Sequence, residues 1–373
     1  YMDATLLTET GPEVGLIVSI VCPGSPAAQA GLTRGVLITA VNGITVNTNN
    51  YTTMGENVYD GNVTITYHPT TFDSEGFLQI GDATNLKLNR ATFNDVSVYM
   101  SKILEFENGP KIGYMLYNSF DYGYDTQLIN AFKKYKEEGI TELILDLRYN
   151  PGGHVISSLL MGTLIAGQQH KGEIYGRSIY NATRMQTTSP GEYKLGVAAT
   201  PEIPEGYDPI TEGLATCIGL STIYVICSEN TASASELVIN GLRGVGVDVR
   251  LIGTTTNGKN CGMESIEKTF GGYTYTLCPI TFYIENAKGF KDYADGFTPD
   301  VEEDDSVYYP GDFGTVYDTY TYYALSWIVN GTKPNPNTRS ATSRATNRFT
   351  RLPFNNERIN QRRLKGAIML PTE

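Results

Sequence analysis

The fold is decided by the stretch STIYVICSENTASASELVINGLRG, residues 221–244. Its first part is a short apolar run rich in β-branched residues, which predicts a buried strand. A polar loop follows, and small residues then begin an amphipathic segment typical of a helix. Ser233 lies where loop and helix meet, at the exposed end of the strand, beside helix amides that favour an oxyanion. The simpler interpretation is a capping box, in which Ser233 only caps the helix with Glu236.

The segment that follows this helix ends on a lysine. DVRLIGTTTNGK (residues 248–259) is predicted to form a second buried strand, which returns the chain to the same edge of the sheet and stops at Lys259. A serine hydroxyl needs a base before it can act as a nucleophile. A lysine can be that base if burial lowers its pKa toward neutrality. The alternative is a solvated surface lysine.

A third strand end of unusual composition lies before the Ser233 and Lys259 segments in the sequence. DLRYNPGGH (residues 146–154) reads as a buried strand that runs into a glycine turn. The glycines allow positive φ and close approach, so their amides can point at a carbonyl oxygen. A plain tight turn is the alternative. Helical patterns over residues 125–140 and 154–167 alternate with these strands, which predicts an α/β core.

The rest of the chain divides by pattern. Residues 15–67 alternate short apolar strands with turns, including Asn42-Gly43. We therefore expect a small β-rich domain over residues 1–72, an α/β core over residues 73–330, and a Pro- and Asn-rich extension over residues 331–373.

The segments DLRYNPGG, SASE and TTNGKN, in this order, resemble the tail-specific, or C-terminal-processing, serine proteases. That family's pattern is DLR-x-NPGG, then SAS-[SA]-E, then TFGKG, and GFTPDVEED (residues 296–304) is similar to a segment near the end of the family's core. The resemblance implies a core akin to the ClpP and crotonase folds and a Ser–Lys dyad. It assigns Ser233 as nucleophile and Lys259 as base. The oxyanion donors would be the backbone amides of Ala234 and of Gly152 or Gly153.

This sequence departs from the family pattern near its lysine. Ser233 and Lys259 are 26 residues apart instead of the usual 25. Met263 stands where many relatives have a glutamine that orients the amine, and a thioether is a poor partner for an ammonium group. Lys259 must then be held in another way, or catalysis is weakened. Ser235 is the competing nucleophile.

The string GSPAAQAGLTRGVLITAVNG (residues 24–43) resembles a PDZ domain, whose usual form is SPA-x-x-AGL-x-x-GD-x-I-x-x-VNG. Val36 stands where the family commonly has Asp. The loop that binds a peptide carboxylate is not recognisable before Gly15, so it either lies upstream of Tyr1 or is altered. The resemblance implies a sheet edge that accepts an extended peptide.

Composition excludes several classes of function. The net charge of −12 argues against nucleic acid as a partner. The sequence contains no run of 18 apolar residues, so it predicts no membrane span. Nine Lys/Arg and two Glu follow residue 330, which leaves −19 for the rest. We expect this basic extension to pack on the acidic body, or alternatively to bind an anionic partner.

The cysteines and histidines do not indicate a metal or a cofactor, and none is expected. The three histidines are not spaced as ligands, and five cysteines are too few for a disulfide scaffold. Cys261 and Cys278 flank a Gly271-Gly272 turn and could form a disulfide across a hairpin.

The resemblance implies a serine endopeptidase that cleaves protein substrates near their C-termini through an acyl-enzyme. It also implies a location outside the cytoplasm, periplasmic or at the cell surface of a bacterium, with room for a lipid anchor upstream. Two alternatives stay open: a catalytically inactive, peptide-binding relative, and a crotonase-like enzyme that acts on acyl thioesters.

Overall fold

A computed structural model of the chain describes residues 2–7, 12–107, 109–198, 208–305, 309–336, 350–352 and 369–370. The chain divides into two units, residues 1–95 with 303–360 and residues 96–302 with 361–373. Within the described ranges, none of the helices has the length and apolar character needed to cross a bilayer.

The first unit begins as a small β-rich domain. Its elements are β1 (Met2–Leu6), β2 (Val14–Val18), α1 (Pro26–Gln29), β3 (Leu37–Val41), β4 (Ile44–Thr45), α2 (Tyr51–Asp60), β5 (Val63–His68), β6 (Thr70–Phe72), β7 (Leu78–Ile80) and β8 (Thr84–Leu88). The strands pair in the order β1-β2-β3-β5-β8, all antiparallel, with β4 beside β3. Asn42 and Gly43 both have positive φ, 51° and 77°, which suits the tight hairpin between β3 and β4. The β-rich, PDZ-like domain predicted from the sequence is confirmed.

The second unit is the α/β core. Its elements are β9 (Val98–Leu104), β10 (Ile112–Tyr117), α3 (Asp125–Glu138), β11 (Glu142–Asp146), α4 (Val155–Ala166), β12 (Ile174–Tyr180), β13 (Gly191–Lys194), α5 (Pro209–Thr216), β14 (Thr222–Cys227), α6 (Ala234–Gly244), β15 (Asp248–Gly253), β16 (Cys261–Glu264), β17 (Ile266–Phe270), β18 (Tyr273–Leu277), β19 (Ile280–Glu285) and β20 (Val301–Glu302). The central sheet has the order β20-β15-β14-β11-β10-β9. All of its neighbours are parallel except β9, so the carboxyl ends of β11, β14 and β15 meet at one edge.

The composition of two helices explains their places in this core. α4 reads VISSLLMGTLIA, and all of its residues are buried, because a helix that is apolar around its whole circumference must be covered on every side. α3 buries one face only and ends at Gly139, whose left-handed conformation (φ 67°) closes the last turn. Helices α3, α4, α5 and α6 pack against one another, so the core predicted from strand–helix alternation is confirmed.

The remaining strands of the second unit lie in a separate sheet of order β13-β12-β19-β16 and in the hairpin β17–β18. The Gly271-Gly272 turn joins the strands of that hairpin as predicted. The disulfide considered for Cys261 and Cys278 is not formed, since both are free thiols in the structure. Cys278 instead lies 3.5 Å from Ser265 Oγ.

Beyond residue 303 the chain returns to the first unit. The structure describes α7 (Thr319–Asn330), β21 (Thr350–Leu352) and β22 (Met369–Leu370). β21 adds to the first sheet beyond β1, and β22 adds in parallel to β16 in the second unit. The other residues of the predicted extension, 337–349, 353–368 and 371–373, lie outside the described residues.

The unit boundaries differ from those predicted at residues 72 and 330. Residues 84–88 form β8, which pairs with β5 along its whole length and therefore belongs to the first unit. Arg34 of that unit donates a hydrogen bond to the Gly311 carbonyl and forms an ion pair with Asp318, so the segment that leads into α7 belongs there too. Short polar strands and long-range ion pairs leave no periodic signal in the sequence.

Candidate active site

Ser233 lies at the start of α6 in a backbone conformation that serine rarely adopts. Its φ is 62° and its ψ is −115°, a region that costs of the order of 1–3 kcal/mol for a residue other than glycine. The side chain is fully buried. Ser233 and Glu236 form the predicted capping box, although Ser233 Oγ makes no hydrogen bond of normal geometry within the described residues. A strained strand-to-helix turn with an unsatisfied hydroxyl is unusual for a residue that only caps a helix.

The carboxylate of Glu236 holds this turn against the lysine loop. It accepts hydrogen bonds from the backbone amides of Ser233 (2.9 Å), Gly258 (2.6 Å) and Lys259 (2.8 Å), and from Thr256 Oγ1 (2.7 Å). Glu236 is fully buried. Burial raises the pKa of its carboxyl group, and the four hydrogen bonds oppose that rise because they favour the ionised form. The sequence predicted Glu236 only as a capping partner. In the structure, its carboxylate joins the Ser233 turn to the lysine loop, and Ser233 and Lys259 are 26 residues apart.

Lys259 is half-buried, and burial lowers the pKa of its amine below the usual lysine value, while Cys261 and Glu236 oppose the change. Gly258, just before it, has φ 87°, and a Cβ there would lie 2.0 Å from the Ala294 carbonyl oxygen. This close packing fixes the backbone position from which the Lys259 side chain extends.

The structure brings Ser233 and Lys259 to the same carboxylate through their backbone amides, as the sequence predicted for their segments. Their side chains are not hydrogen-bonded to each other, since Ser233 Oγ makes no hydrogen bond of normal geometry with any described residue. The Lys259 amine donates no hydrogen bond to any residue in the described ranges. Met263 lies in β16 and pairs with Ile280.

The glycine turn predicted to supply oxyanion donors packs directly against the Ser233 turn. The Asn150 carbonyl accepts hydrogen bonds from the Ala232 amide (3.1 Å) and from Ser235 Oγ (3.0 Å). The Asn150 side chain accepts from the Gly152 amide at 2.9 Å. Ser235 therefore has a structural contact for its hydroxyl, and the Gly152 amide is already occupied.

Gly153 and Ala234 are the two predicted donors whose amides stay unused. Neither amide makes a hydrogen bond within the part of the chain that the structure describes. Gly153 has φ 146°, and a Cβ there would lie 2.2 Å from the Phe120 carbonyl oxygen, so only glycine fits.

A buried ion pair stabilises the end of β11, and the sequence motifs did not predict it. Arg148 donates to Asp146 through Nε at 3.0 Å and through Nη2 at 2.7 Å, and Tyr114 Oη donates to the same carboxylate at 2.7 Å. Ser228 Oγ donates to the Arg148 carbonyl, which links the loop after β11 to the loop after β14. The charge alternation in DLR could have indicated such a pair.

Two tyrosines of the site also escaped prediction. Tyr175 Oη lies 2.9 Å from Ser158 Oγ, which donates to the Ala234 carbonyl at 3.1 Å. The Tyr293 hydroxyl is buried and has no hydrogen-bond partner among the residues that the structure describes, and burial raises its pKa well above the usual value. No local sequence pattern marks either residue, because their contacts are set by tertiary packing.

The chain is similar to known proteins in both of its units. Residues 111–303 match the profile of "Peptidase family S41", and residues 17–59 match that of "PDZ domain". A carboxyl-terminal-processing protease of Picosynechococcus is 25% identical over 258 residues, which is 68% of this chain and 53% of that protein. A Staphylococcus aureus protein named as a CtpA-like serine protease is 24% identical over 79% of this chain and 51% of its own length. The chain thus spans about half the length of these curated relatives.

A solved structure is similar over most of the chain. A Bacteroides fragilis chain assigned to the S41 proteases is 25% identical, with a TM-score of 0.72, over 89% of this chain and 82% of its own. Because the S41 profile covers more than half of the sequence and includes all three strand-end segments of the site, the chain belongs to peptidase family S41.

Proposed function

We propose that this protein is a serine endopeptidase in which Ser233 is the nucleophile and Lys259 the general base. The observation that carries the proposal is the Glu236 carboxylate, which binds the amides of both residues and holds the strained Ser233 turn against the lysine loop. Nucleophilic catalysis by serine requires a hydroxyl and a base, and these two segments supply a buried hydroxyl and an amine of lowered pKa.

In the proposed mechanism, neutral Lys259 takes the Ser233 proton while Oγ attacks the peptide carbonyl carbon. The C–N bond then breaks, the protonated lysine gives its proton to the leaving amine, and an acyl-enzyme remains. Water then attacks the ester carbonyl carbon while Lys259 takes its proton. The protonated lysine returns a proton to Ser233 Oγ as the C–O bond breaks, which releases the carboxylic acid product and regenerates Ser233. The side chains must come within about 3 Å of each other for this transfer, which side-chain rotation on substrate binding would provide.

The oxyanion is assigned to the amides of Gly153 and Ala234. Both are unused within the described residues, whereas the Gly152 amide donates to Asn150. Removing one such donor typically reduces kcat by about 10²–10³-fold.

The name of one relative, a carboxyl-terminal-processing protease, supports cleavage of protein substrates near their C-termini, and both of these relatives are bacterial. A place outside the cytoplasm is what the family resemblance implies. We infer both for this chain. Fractionation of the source cells tests the location, and an accumulation in the cytoplasmic fraction would contradict it.

The activity is tested with an unstructured protein substrate and mass spectrometry of the products. Ser233→Ala and Lys259→Ala are each expected to lower kcat/KM by about 10³-fold or more, because each removes one half of the dyad. The matched controls are exposed residues of the same type, Ser74→Ala and Lys268→Ala. Circular dichroism must show an intact fold. Full activity in Ser233→Ala would mean that another residue, such as Ser235, is the nucleophile. Absence of cleavage by the parent protein would leave the inactive, peptide-binding relative as the better description.

A further inference from the structure

The Tyr293 hydroxyl is a buried polar group of the site that has no role in the mechanism given above. Tyr293 is only 2% exposed, and its Oη has no hydrogen-bond partner within the described ranges. A buried hydroxyl without a hydrogen bond costs free energy, so its presence calls for a physical reason. Ser233 Oγ makes no hydrogen bond of normal geometry there either, and the Lys259 amine donates to none of the described residues. The site therefore holds three polar groups whose hydrogen bonds are not made in this state.

The loop after β19 carries Tyr293 and is fixed to the lysine loop by hydrogen bonds. The Phe297 amide donates to Thr256 Oγ1 at 2.7 Å, and the Thr256 amide donates to the Phe297 carbonyl at 3.2 Å. Asn260 Nδ2 donates to the Lys291 carbonyl at 2.8 Å. These contacts lie on both sides of the lysine in one loop and on both sides of Tyr293 in the other. The two side chains therefore extend from neighbouring stretches of backbone.

Aromatic packing restricts the position of the Tyr293 ring. The ring stacks on Phe297, with centroids 4.7 Å apart and an interplanar angle of 22°, and its centroid is 6.3 Å from that of Phe290. Tyr293 also belongs to the main apolar cluster of the second unit. Because buried rings in close-packed clusters have little room to rotate, the hydroxyl is held at a fixed place.

The Tyr293 hydroxyl and the Lys259 amine have two neighbours in common. Burial lowers the pKa of the amine, and Cys261 and Glu236 oppose that change. Burial raises the pKa of the Tyr293 hydroxyl, and Glu236, Cys261 and Tyr175 raise it further. The same carboxylate and the same thiol therefore act on both groups, as expected if hydroxyl and amine face one pocket.

The chemistry of proton transfer defines the partner that the amine needs. A neutral amine has two N–H groups and one lone pair, and the lone pair must face Ser233 Oγ to take its proton. The N–H groups then need an acceptor on another side. Met263 stands where many relatives have a glutamine, and its thioether is only a weak acceptor. A tyrosine hydroxyl accepts hydrogen bonds well, and its raised pKa keeps Tyr293 uncharged.

We propose that Tyr293 is a positioning residue whose Oη accepts a hydrogen bond from the Lys259 amine when the dyad forms, so that the amine lone pair points at Ser233 Oγ. This role rests on the proposed Ser–Lys mechanism, and Tyr293 itself neither gives nor takes a proton. A protonated amine donates a stronger hydrogen bond than a neutral one. The contact therefore raises the pKa of Lys259 relative to a site without the hydroxyl.

Tyr293→Phe tests the proposal, because it keeps the ring and removes only the hydroxyl. With an unstructured protein substrate, we expect kcat to fall by about 10-fold to 10²-fold at unchanged KM, since the orientation of the base matters in the chemical step and not in binding. The midpoint of the pH–rate profile should move to lower pH. The urea midpoint should stay the same or rise, because the lost hydroxyl is unsatisfied among the described residues.

Tyr193→Phe is the matched control and should show the opposite pattern. Tyr193 is equally buried, but its Oη lies 2.9 Å from Ser178 Oγ in the sheet that contains β12 and β13. Loss of this hydrogen bond should lower the urea midpoint. Its kcat and its pH–rate midpoint should equal those of the parent.

A second readout measures the pKa of Lys259 without any cleavage assay. Full-length parent, Tyr293→Phe and Tyr193→Phe are labelled briefly with acetic anhydride across a range of pH, and the labelled peptides are quantified by mass spectrometry. The labelling midpoint of Lys259 should be lower in Tyr293→Phe than in the other two proteins. Exposed Lys268 is the internal reference and should label with the same midpoint in all three.

The two readouts separate failure of this inference from failure of the proposed function. An unshifted Lys259 midpoint in Tyr293→Phe would overturn the contact, whether or not the protein cleaves the substrate. A shifted midpoint with the kcat of the parent would overturn the positioning role. Full activity in Lys259→Ala, or no cleavage by the parent, would instead overturn the proposed function and this role with it.

Discussion

At the scale of single residues, the site depends on a carboxylate that is not itself a reacting group. The Glu236 carboxylate accepts hydrogen bonds from the backbone amides of both the Ser233 turn and the lysine loop. Since the Ser233 conformation is unfavourable by itself, these hydrogen bonds are what maintain it. Glu236 is therefore a positioning residue, and its removal should affect both stability and catalysis.

We expect Glu236→Gln to lower the free energy of unfolding by about 1–3 kcal/mol, because the amide nitrogen cannot accept the hydrogen bonds of buried donors. It should also shift the pH–rate profile to lower pH, since the Glu236 charge raises the pKa of Lys259. Urea unfolding and the pH dependence of kcat/KM measure the two effects. Exposed Glu267→Gln is the control. A loss of stability with an unshifted profile would assign Glu236 a purely structural role.

Lys259 sets the expected pH dependence. Burial lowers its pKa from the usual 10.5, so the neutral fraction, and with it kcat/KM, should rise with pH and level off below pH 10.5. The unfolded chain binds the lysine proton more tightly than the folded one, so this group makes stability rise with pH between its folded and unfolded pKa values. Lys259→Arg, which keeps the charge but cannot act as a base, should be inactive at every pH. A flat profile in the parent would exclude Lys259 as the base.

At the scale of elements, the candidate site lies in loops that follow β11, β14 and β15, whose carboxyl ends meet at one edge of the parallel sheet. The sequence predicts this meeting well, because each strand is a short apolar run that ends in small or polar residues. It does not predict which backbone amides are unused. The amide of Gly152 is taken by Asn150, whereas that of Gly153 is not, and this difference depends on φ values that glycine leaves open.

The glycine turn itself can be tested by Gly153→Ala. The added Cβ would lie 2.2 Å from the Phe120 carbonyl oxygen, so the turn must move and carry its amide away from the oxyanion. We expect kcat to fall by about 10²-fold or more. Gly172→Ala is the control, because it also adds a Cβ at positive φ (84°) but meets no atom within 4 Å. Both variants are assayed for cleavage and for urea unfolding. Equal kcat values in the two variants would remove Gly153 from the oxyanion site.

α2 and β21 show the limits of sequence reasoning at this scale. α2 contains Thr52, Thr53 and Gly55, which have low helix propensity, so its helical state comes from packing. The structure describes β21 over residues 350–352, which pair with β1. Neither has a periodic pattern that could have indicated it.

At the scale of the whole molecule, the chain passes from the first unit to the second and back. Arg34 holds the returning segment through a hydrogen bond, an ion pair and a ring contact, and it also donates a hydrogen bond to Ser19. It donates to the carbonyls of Ser19 and Gly311, pairs with Asp318 at 3.3 Å, and lies over the Phe313 ring at 4.0 Å. Sequence patterns gave the order of the domains but not this return, because the residues involved are more than 270 positions apart.

If the first unit folds cooperatively from its two chain segments, Arg34→Ala should destabilise both together. The variant leaves buried Asp318 without its cation, which costs about 3 kcal/mol and corresponds to a roughly hundredfold faster exchange of globally protected amides. Hydrogen exchange should show this acceleration equally in α7 and in β2 and β3. Exposed Arg90→Ala is the control. Faster exchange in α7 alone would mean that the returning segment is an appendage, and that residues 1–95 form a cooperative domain without it.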